Sequence, residues 1–312
     1  MAVLAVLCFH FGVPGAAGGY LGVDVFFVLS GFLITGLLLA EHQRTGGIGL
    51  RRFWERRARR LLPGLLTMLL AVAVWSAAVH GASVRADALA TLGYVANWRF
   101  VLAHQGYFAR FGPPSPLLHT WSLAIEEQFY LLWPLAVVPV AARWGARGVR
   151  NLAVGGAVAS AATCVALAVA GAGTVRLYYG TDARAQALLI GAAAAAAMAL
   201  RRPGSRRTPR LALAGACALA WSFHALNGTG ALLYRGGFTA VALAAAAVVA
   251  GVVARPRAAV ARALSVPPLR RVGYISYELY LWHWPVLLAV THARTGLGGA
   301  ALLAARVAVT FA

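Results

Sequence analysis

Apolar residues in this chain run in long blocks, without the alternation of a strand or the single stripe of a soluble helix. A helix needs about 20 apolar residues to cross a bilayer core. Such blocks lie near 1–13, 20–40, 61–80, 117–142, 151–172, 182–200, 211–226, 232–254, 272–292 and 297–312, the first and last of them short. The pattern predicts an all-α fold, a polytopic integral membrane bundle of about ten transmembrane helices, in a single domain over 1–312. No repeat and no Ser/Gly-rich linker divides it. Residues 81–116 are mixed, and "SVRADALATLGYVANWRF" reads as an amphipathic stretch on the membrane surface.

Composition supports a membrane protein: 61% of residues are hydrophobic, 12% are charged, and the mean hydropathy is +0.74. A soluble domain carries about twice that charge fraction. The first residues lack a basic start and run into a second apolar block, so they do not read as a cleavable signal peptide.

The net charge of +20 would suit nucleic acid, but its distribution argues against such a partner. The basic residues are all arginine and cluster between apolar blocks: within 41–60, then at Arg143, Arg147 and Arg150, then at Arg201, Arg202, Arg206, Arg207 and Arg210, then from Arg255 to Arg271. Alternate loops are poorer in arginine, which predicts a multi-pass protein of the inner (cytoplasmic) cell membrane, its N-terminus and the 41–60 segment cytoplasmic. Membrane lipids are then its first partners. Cys8, Cys164 and Cys217 stand singly, with no metal or disulfide spacing, and read as packing residues.

Ionisable residues inside apolar spans are expensive and point to function. "CFHFGVPGAAGGYLGVDVFFVLSGFLIT" places His10 and Asp24 at the ends of two spans joined by a tight turn; a carboxylate there would orient the imidazole of a general base, or would cap the second helix. "LRRFWERRARRLLP" is either a topology anchor or a docking surface for a phosphorylated cosubstrate, with Phe53 and Trp54 as a stacking face. In "HTWSLAIEEQFY", His119 and Glu126 share a helix face, Ser122 lies between them, and adjacent positions keep Glu126 and Glu127 from facing one partner. An ion pair with Arg184 of "YYGTDARAQALLIG" is the structural alternative for this glutamate. "GYISYELYLWHWPV" supplies Tyr277, Tyr280 and a mid-span His283.

Taken in order, "FH…GVDVFFVLSGFLIT", "FWERRARRLLP", "YVANWRF", "YFARFGPPSPLLHTWSLAIEEQFYLLWP", "TDARAQALLIG" and "ISYELYLWHWPV" resemble the acyltransferase 3 family of integral membrane acyltransferases over nearly the whole chain. The resemblance implies transfer of an acyl group, usually acetyl, from acyl-CoA at the cytoplasmic face to a hydroxyl. The acceptor is a carbohydrate or glycosylated molecule: surface polysaccharide, peptidoglycan, lipid-linked glycan or macrolide. It implies that His10 is the essential histidine and that Arg56, Arg57, Arg59 and Arg60 serve acyl-CoA. Acyl-CoA is then a cosubstrate, with no permanently bound cofactor and no metal. The expected catalytic set is His10, Asp24 and Glu126, with His119, Ser122, Arg184, Tyr277, Tyr280 and His283 lining the channel or holding substrate. His10 acts as general base or carries the acyl group as an acyl-histidine.

The family's arginine eleven residues before its histidine would fall two residues before Met1, so the true start is expected upstream. Some members continue into an extracytoplasmic esterase-like domain; this chain stops in its last apolar block, so the expectation is either that no such domain exists, with a separate extracytoplasmic partner as an option, or that the C-terminus is clipped. The competing class is a proton-coupled exporter, which charged residues within spans suit equally.

Overall fold

The computed structural model describes residues 1–79, 84–108, 114–201 and 208–312. Arg202, Arg206 and Arg207 of the third arginine cluster lie outside the described residues, as does 109–113 of the block around Tyr107. Among the described residues the fold is all-helical, with no strand. Four helical segments are long and apolar enough to cross a membrane: Gly19–Thr45, Leu50–Ala78, Thr120–Val169 and Leu233–Ala254.

Helix α2 (Gly22–Thr45) shows how such a sequence packs. Asp24, Phe27, Val28, Gly31, Ile34, Thr35 and Leu38 recur at helical spacing and are buried. The opposite face is apolar too, with Leu33 and Leu37 more than half exposed. Its main neighbour is α8 (Thr181–Ala199), which also packs along α6 (Thr120–Val169), so α8 runs through the middle of the bundle.

The α2–α8 contact depends on two glycines. A Cβ on Gly31 would run into the Leu188 carbonyl, and one on Gly191 into the Val28 carbonyl. Small residues let helix backbones approach this closely in membranes. Gly31→Ala should therefore destabilise the bundle by about 1–3 kcal/mol. Gly36→Ala, on the same helix but with open space around its Cβ position, should instead gain up to about 1 kcal/mol of helix propensity. Thermal unfolding of the two purified variants would show shifts of opposite sign.

The structure redraws several expected boundaries. Helix α3 (Leu50–Val79) continues through the arginine block, so those arginines stand on a helix and not in a loop. Helix α6 is one run of 50 residues broken only at Gly145 (φ 58°, ψ −156°), a conformation open to glycine alone. At 1.5 Å per residue that run is about 75 Å long, more than twice a bilayer core. Gly145, flanked by Arg143 and Arg147, thus stands where a loop was expected. The amphipathic 81–116 stretch folds as α4 (Arg85–Leu92) and α5 (Ala96–Leu102), and its Asp87, Thr91, Asn97 and Phe100 are buried against the bundle. It is not confined to the surface: Ser115 donates to Asp87, and Asn97 donates to the Tyr179 carbonyl.

Candidate active site

Three histidines converge from distant parts of the chain. His10 ends α1 (Ala2–His10), His119 caps α6, and His283 lies within α13 (Ser276–Ala289). The His10 and His283 ring centroids are 4.9 Å apart, and those of His119 and His283 are 5.6 Å apart. A backbone turn fixes the end of α1: Gly12 takes φ 73° while the Val13 amide bonds back to the Cys8 carbonyl at 2.9 Å.

The contacts of these rings assign their tautomers. His283 Nδ1 lies 2.6 Å from the Tyr280 carbonyl, which can only accept, so Nδ1 carries the proton. In a neutral ring Nε2 is then an acceptor, and it faces His10 Nδ1 at 3.0 Å. His10 Nδ1 must therefore donate, leaving a lone pair on His10 Nε2. That lone pair accepts from the Tyr107 hydroxyl at 2.7 Å. A backbone carbonyl thus sets the protonation of His10 through a second histidine.

Two cavities flank this chain. A cavity of about 480 Å³ opens at the arginine-bearing end, lined among others by Arg57, Arg60, Glu126, Tyr277, Tyr280 and the apolar Phe26. At its far end the Tyr280 hydroxyl donates to the His119 carbonyl (3.0 Å) and lies 2.6 Å from Ser122 Oγ. The Tyr280 ring touches those of His119 and His283, at 5.8 and 5.3 Å. A second cavity, of about 260 Å³, lies at the opposite end of α1, where Tyr107, Phe108 and Tyr178 meet Thr174 and Thr229. Tyr107, His10 and His283, joined by hydrogen bonds between side chains, and Tyr280, joined to His283 through its main-chain carbonyl and its ring, link one cavity to the other.

The expected residues divide between these places. Of the four arginines expected to serve acyl-CoA, Arg57 and Arg60 line the larger cavity. Arg56 turns towards Glu41 at 3.8 Å, and Arg59 is exposed. Phe53 is buried and offers no free stacking face; Trp54 is part-buried, and its indole N–H donates to the Tyr130 carbonyl at 3.0 Å.

Asp24 does not orient His10. Its two oxygens each lie 3.0 Å from Nη2 of Arg184, and both side chains are 1% exposed. The alternative pairing of Arg184 with Glu126 is likewise not formed. Glu126 accepts from Ser30 at 2.5 Å, and Tyr130 donates to Ser30 at 2.9 Å. Glu126 and Glu127 both line the larger cavity, whose width accommodates two directions 100° apart. Among the described residues no hydrogen bond joins Glu126 to His10.

Sequence reasoning missed Tyr107 and Ser30. Ser30 carried a signal, a hydroxyl on the packed side of an apolar span. Tyr107 had only its place at the head of the "YFARFGPP" block: it follows α5 in a loop aimed by His104, which takes a left-handed φ of 52° while the Gln105 amide closes back on the Phe100 carbonyl at 3.1 Å.

Relatives are similar in sequence over most of this chain. The peptidoglycan O-acetyltransferase OatA of Listeria monocytogenes is 38% identical over 305 residues, covering 93% of this chain and 48% of that protein. The O-acetyltransferase OatA of Staphylococcus aureus (strain NCTC 8325) is 34% identical over 299 residues, covering 93% of this chain and 49% of that protein. The chain thus spans about half the length of these curated relatives. No solved structure matches it. The family described as an acyltransferase domain matches residues 1–312, and with its apolar helices and the histidine site between two cavities, the chain belongs to the acyltransferase 3 family.

Proposed function

We propose that this chain transfers an acetyl group from acyl-CoA, bound from the cytoplasmic side, to a hydroxyl of a carbohydrate or glycosylated acceptor entering from the other side. In this reading about ten helices cross the cytoplasmic membrane, with the N-terminus inside. The relatives' names supply the acetyl group and favour a peptidoglycan acceptor. The observation that carries the reading is the lone pair on His10 Nε2, held between an arginine-lined cavity and an aromatic one.

The larger cavity fits an acyl-CoA. Arg57 and Arg60, three residues apart on one helix face, offer guanidinium forks to phosphate oxygens. Phe26, Leu29 and Leu33 form an apolar wall for the pantetheine arm, and Ser122 and Tyr280 close the end where the thioester would lie. His10 Nε2 takes the acceptor hydroxyl's proton as that oxygen attacks the thioester carbonyl. The His10 Nδ1–H bond to His283 spreads the positive charge that results. The carbon–sulfur bond breaks, and His10 returns its proton to the departing thiolate. His119, whose ring nitrogens make no close hydrogen bond among the described residues, is the residue we assign to meet the oxyanion. Glu126, on the donor side, holds the wall through Ser30 and Tyr130.

An exporter would need only the charge of the arginine block; an enzyme needs the forks. Arg57→Lys with Arg60→Lys should raise the acetyl-CoA KM about 10–100-fold, the loss of one or two charge-assisted bonds. Arg59→Lys should leave it unchanged. Labelled acetyl-CoA supplied to membranes, with transfer to envelope glycans counted, tests this. Transfer indifferent to all three lysines would remove the acyl-CoA assignment.

A further inference from the structure

We propose that the smaller cavity is the acceptor subsite, that it takes a neutral pyranose, and that the Tyr107 hydroxyl keeps the acceptor's place on His10. This rests on the acyl-transfer reading above and adds where the acceptor binds and what kind of ring it presents.

The cavity's chemistry differs from that of the arginine cavity. Among the described residues its lining holds no carboxylate and no arginine, and its one basic side chain is His104. It offers the rings of Tyr107, Phe108 and Tyr178 together with the hydroxyls of Thr174 and Thr229. The three rings are mutually packed, with Tyr107–Phe108, Tyr107–Tyr178 and Phe108–Tyr178 centroids 5.0, 5.0 and 4.9 Å apart. They are therefore held firm before any ligand arrives, which lowers the ordering cost of binding. A pyranose has an apolar C–H face and a rim of hydroxyls. The C–H face suits the electron-rich faces of aromatic rings, and the rim suits the threonines. Among the described lining residues only the imidazole of His104, exposed at the rim, could meet an anion, so a carboxylate or phosphate finds no guanidinium fork here like those of the larger cavity.

Tyr107 is both part of the cavity wall and the partner of the reactive nitrogen. Its O–H meets the Nε2 lone pair in the way an acceptor O–H must. The acceptor's hydroxyl displaces it, forms the same hydrogen bond, and gives its proton to Nε2 as its oxygen attacks the acyl carbon. Water is kept from that lone pair while the cavity is empty.

The test uses the full chain in detergent and β-1,4-linked N-acetylglucosamine tetramer as the neutral probe, with tetragalacturonate as the acidic one. Thr174 and Thr229 are exposed, so Thr174→Trp and Thr229→Trp fill the cavity from its rim without touching the core. Calorimetry should show the neutral probe binding wild type and at least tenfold weaker binding to either variant, with acetyl-CoA affinity unchanged in both. Tyr107→Phe should lower the acceptor KM, because no hydroxyl then competes for His10. No neutral-probe binding to wild type, equal binding by the rim variants, or acidic binding as tight as neutral would overturn the proposal. So would a Tyr107→Phe enzyme with a reduced kcat and an unchanged acceptor KM. Sugar bound at the cavity without any acetyl transfer would sink the acyl-transfer reading and leave the subsite standing. Transfer indifferent to the rim variants would do the reverse.

Discussion

His10→Ala is expected to lower acetyl transfer by a factor on the order of 10²–10⁴, the usual contribution of a positioned general base, with the acetyl-CoA KM near that of wild type. The KM should hold because Arg57 and Arg60, which would grip the nucleotide, lie at the arginine end of the larger cavity, whereas His10 is not among its lining residues. Transfer from labelled acetyl-CoA to envelope glycans would measure it, and equal rates in variant and wild type would remove His10 from the mechanism. His283 tests the wiring behind His10. The amide oxygen of His283→Gln can still accept from His10 Nδ1–H, whereas the side chain of His283→Leu cannot, so kcat should follow wild type, then Gln, then Leu. A ring held only by packing would give Gln and Leu the same kcat. Incubation without acceptor separates two routes: label that becomes bound to the protein and disappears in His10→Ala would assign an acyl-histidine, while its absence with normal turnover would assign direct attack.

The spans were legible because lipid and core both demand apolar side chains, so a crossing segment is hydrophobic all round. Their ends were less so. Arg51 to Arg60 read as a loop, but arginine is a good helix former and the helix carries them outward from α3. The 143–150 loop reduces to one residue because Gly145 alone makes the turn. In the site, His10, His119 and His283 were legible one by one as costly residues in apolar spans. Their convergence was not, since 273 positions separate His10 from His283. Nor was the group that sets the tautomer, since it is the Tyr280 carbonyl and every residue has one. The turn between α1 and α2 suggested that His10 and Asp24 would meet. The structure instead gives Asp24 to Arg184, 160 positions away, because a buried guanidinium needs an opposite charge more than an imidazole does.

That buried pair yields the other large effect. Arg184 stacks over the Phe238 ring at 3.6 Å, with the Tyr178 ring at 5.1 Å, and its Nη2 holds both oxygens of Asp24. Asp24→Asn leaves the guanidinium charge buried with no counter-ion, and Arg184→Met leaves the carboxylate in the same position. Each should destabilise the folded protein by about 3–5 kcal/mol, the cost of breaking a buried pair by removing one partner. The double variant removes both charges and should be less destabilised than either single one, so the two changes should be strongly non-additive. Unfolding in mixed detergent micelles, read by tryptophan fluorescence, would measure all four corners of the cycle. The same proteins separate a structural Asp24 from one that tunes His10. If Asp24 holds α2 against α8, activity per folded molecule should be near normal in the double variant and should track the folded fraction in the singles. If Asp24 orients His10, restoring stability would not restore kcat. The contacts favour the first outcome: His10 Nδ1 and Nε2 are already bound to His283 and Tyr107, which leaves no ring nitrogen for a carboxylate to hold.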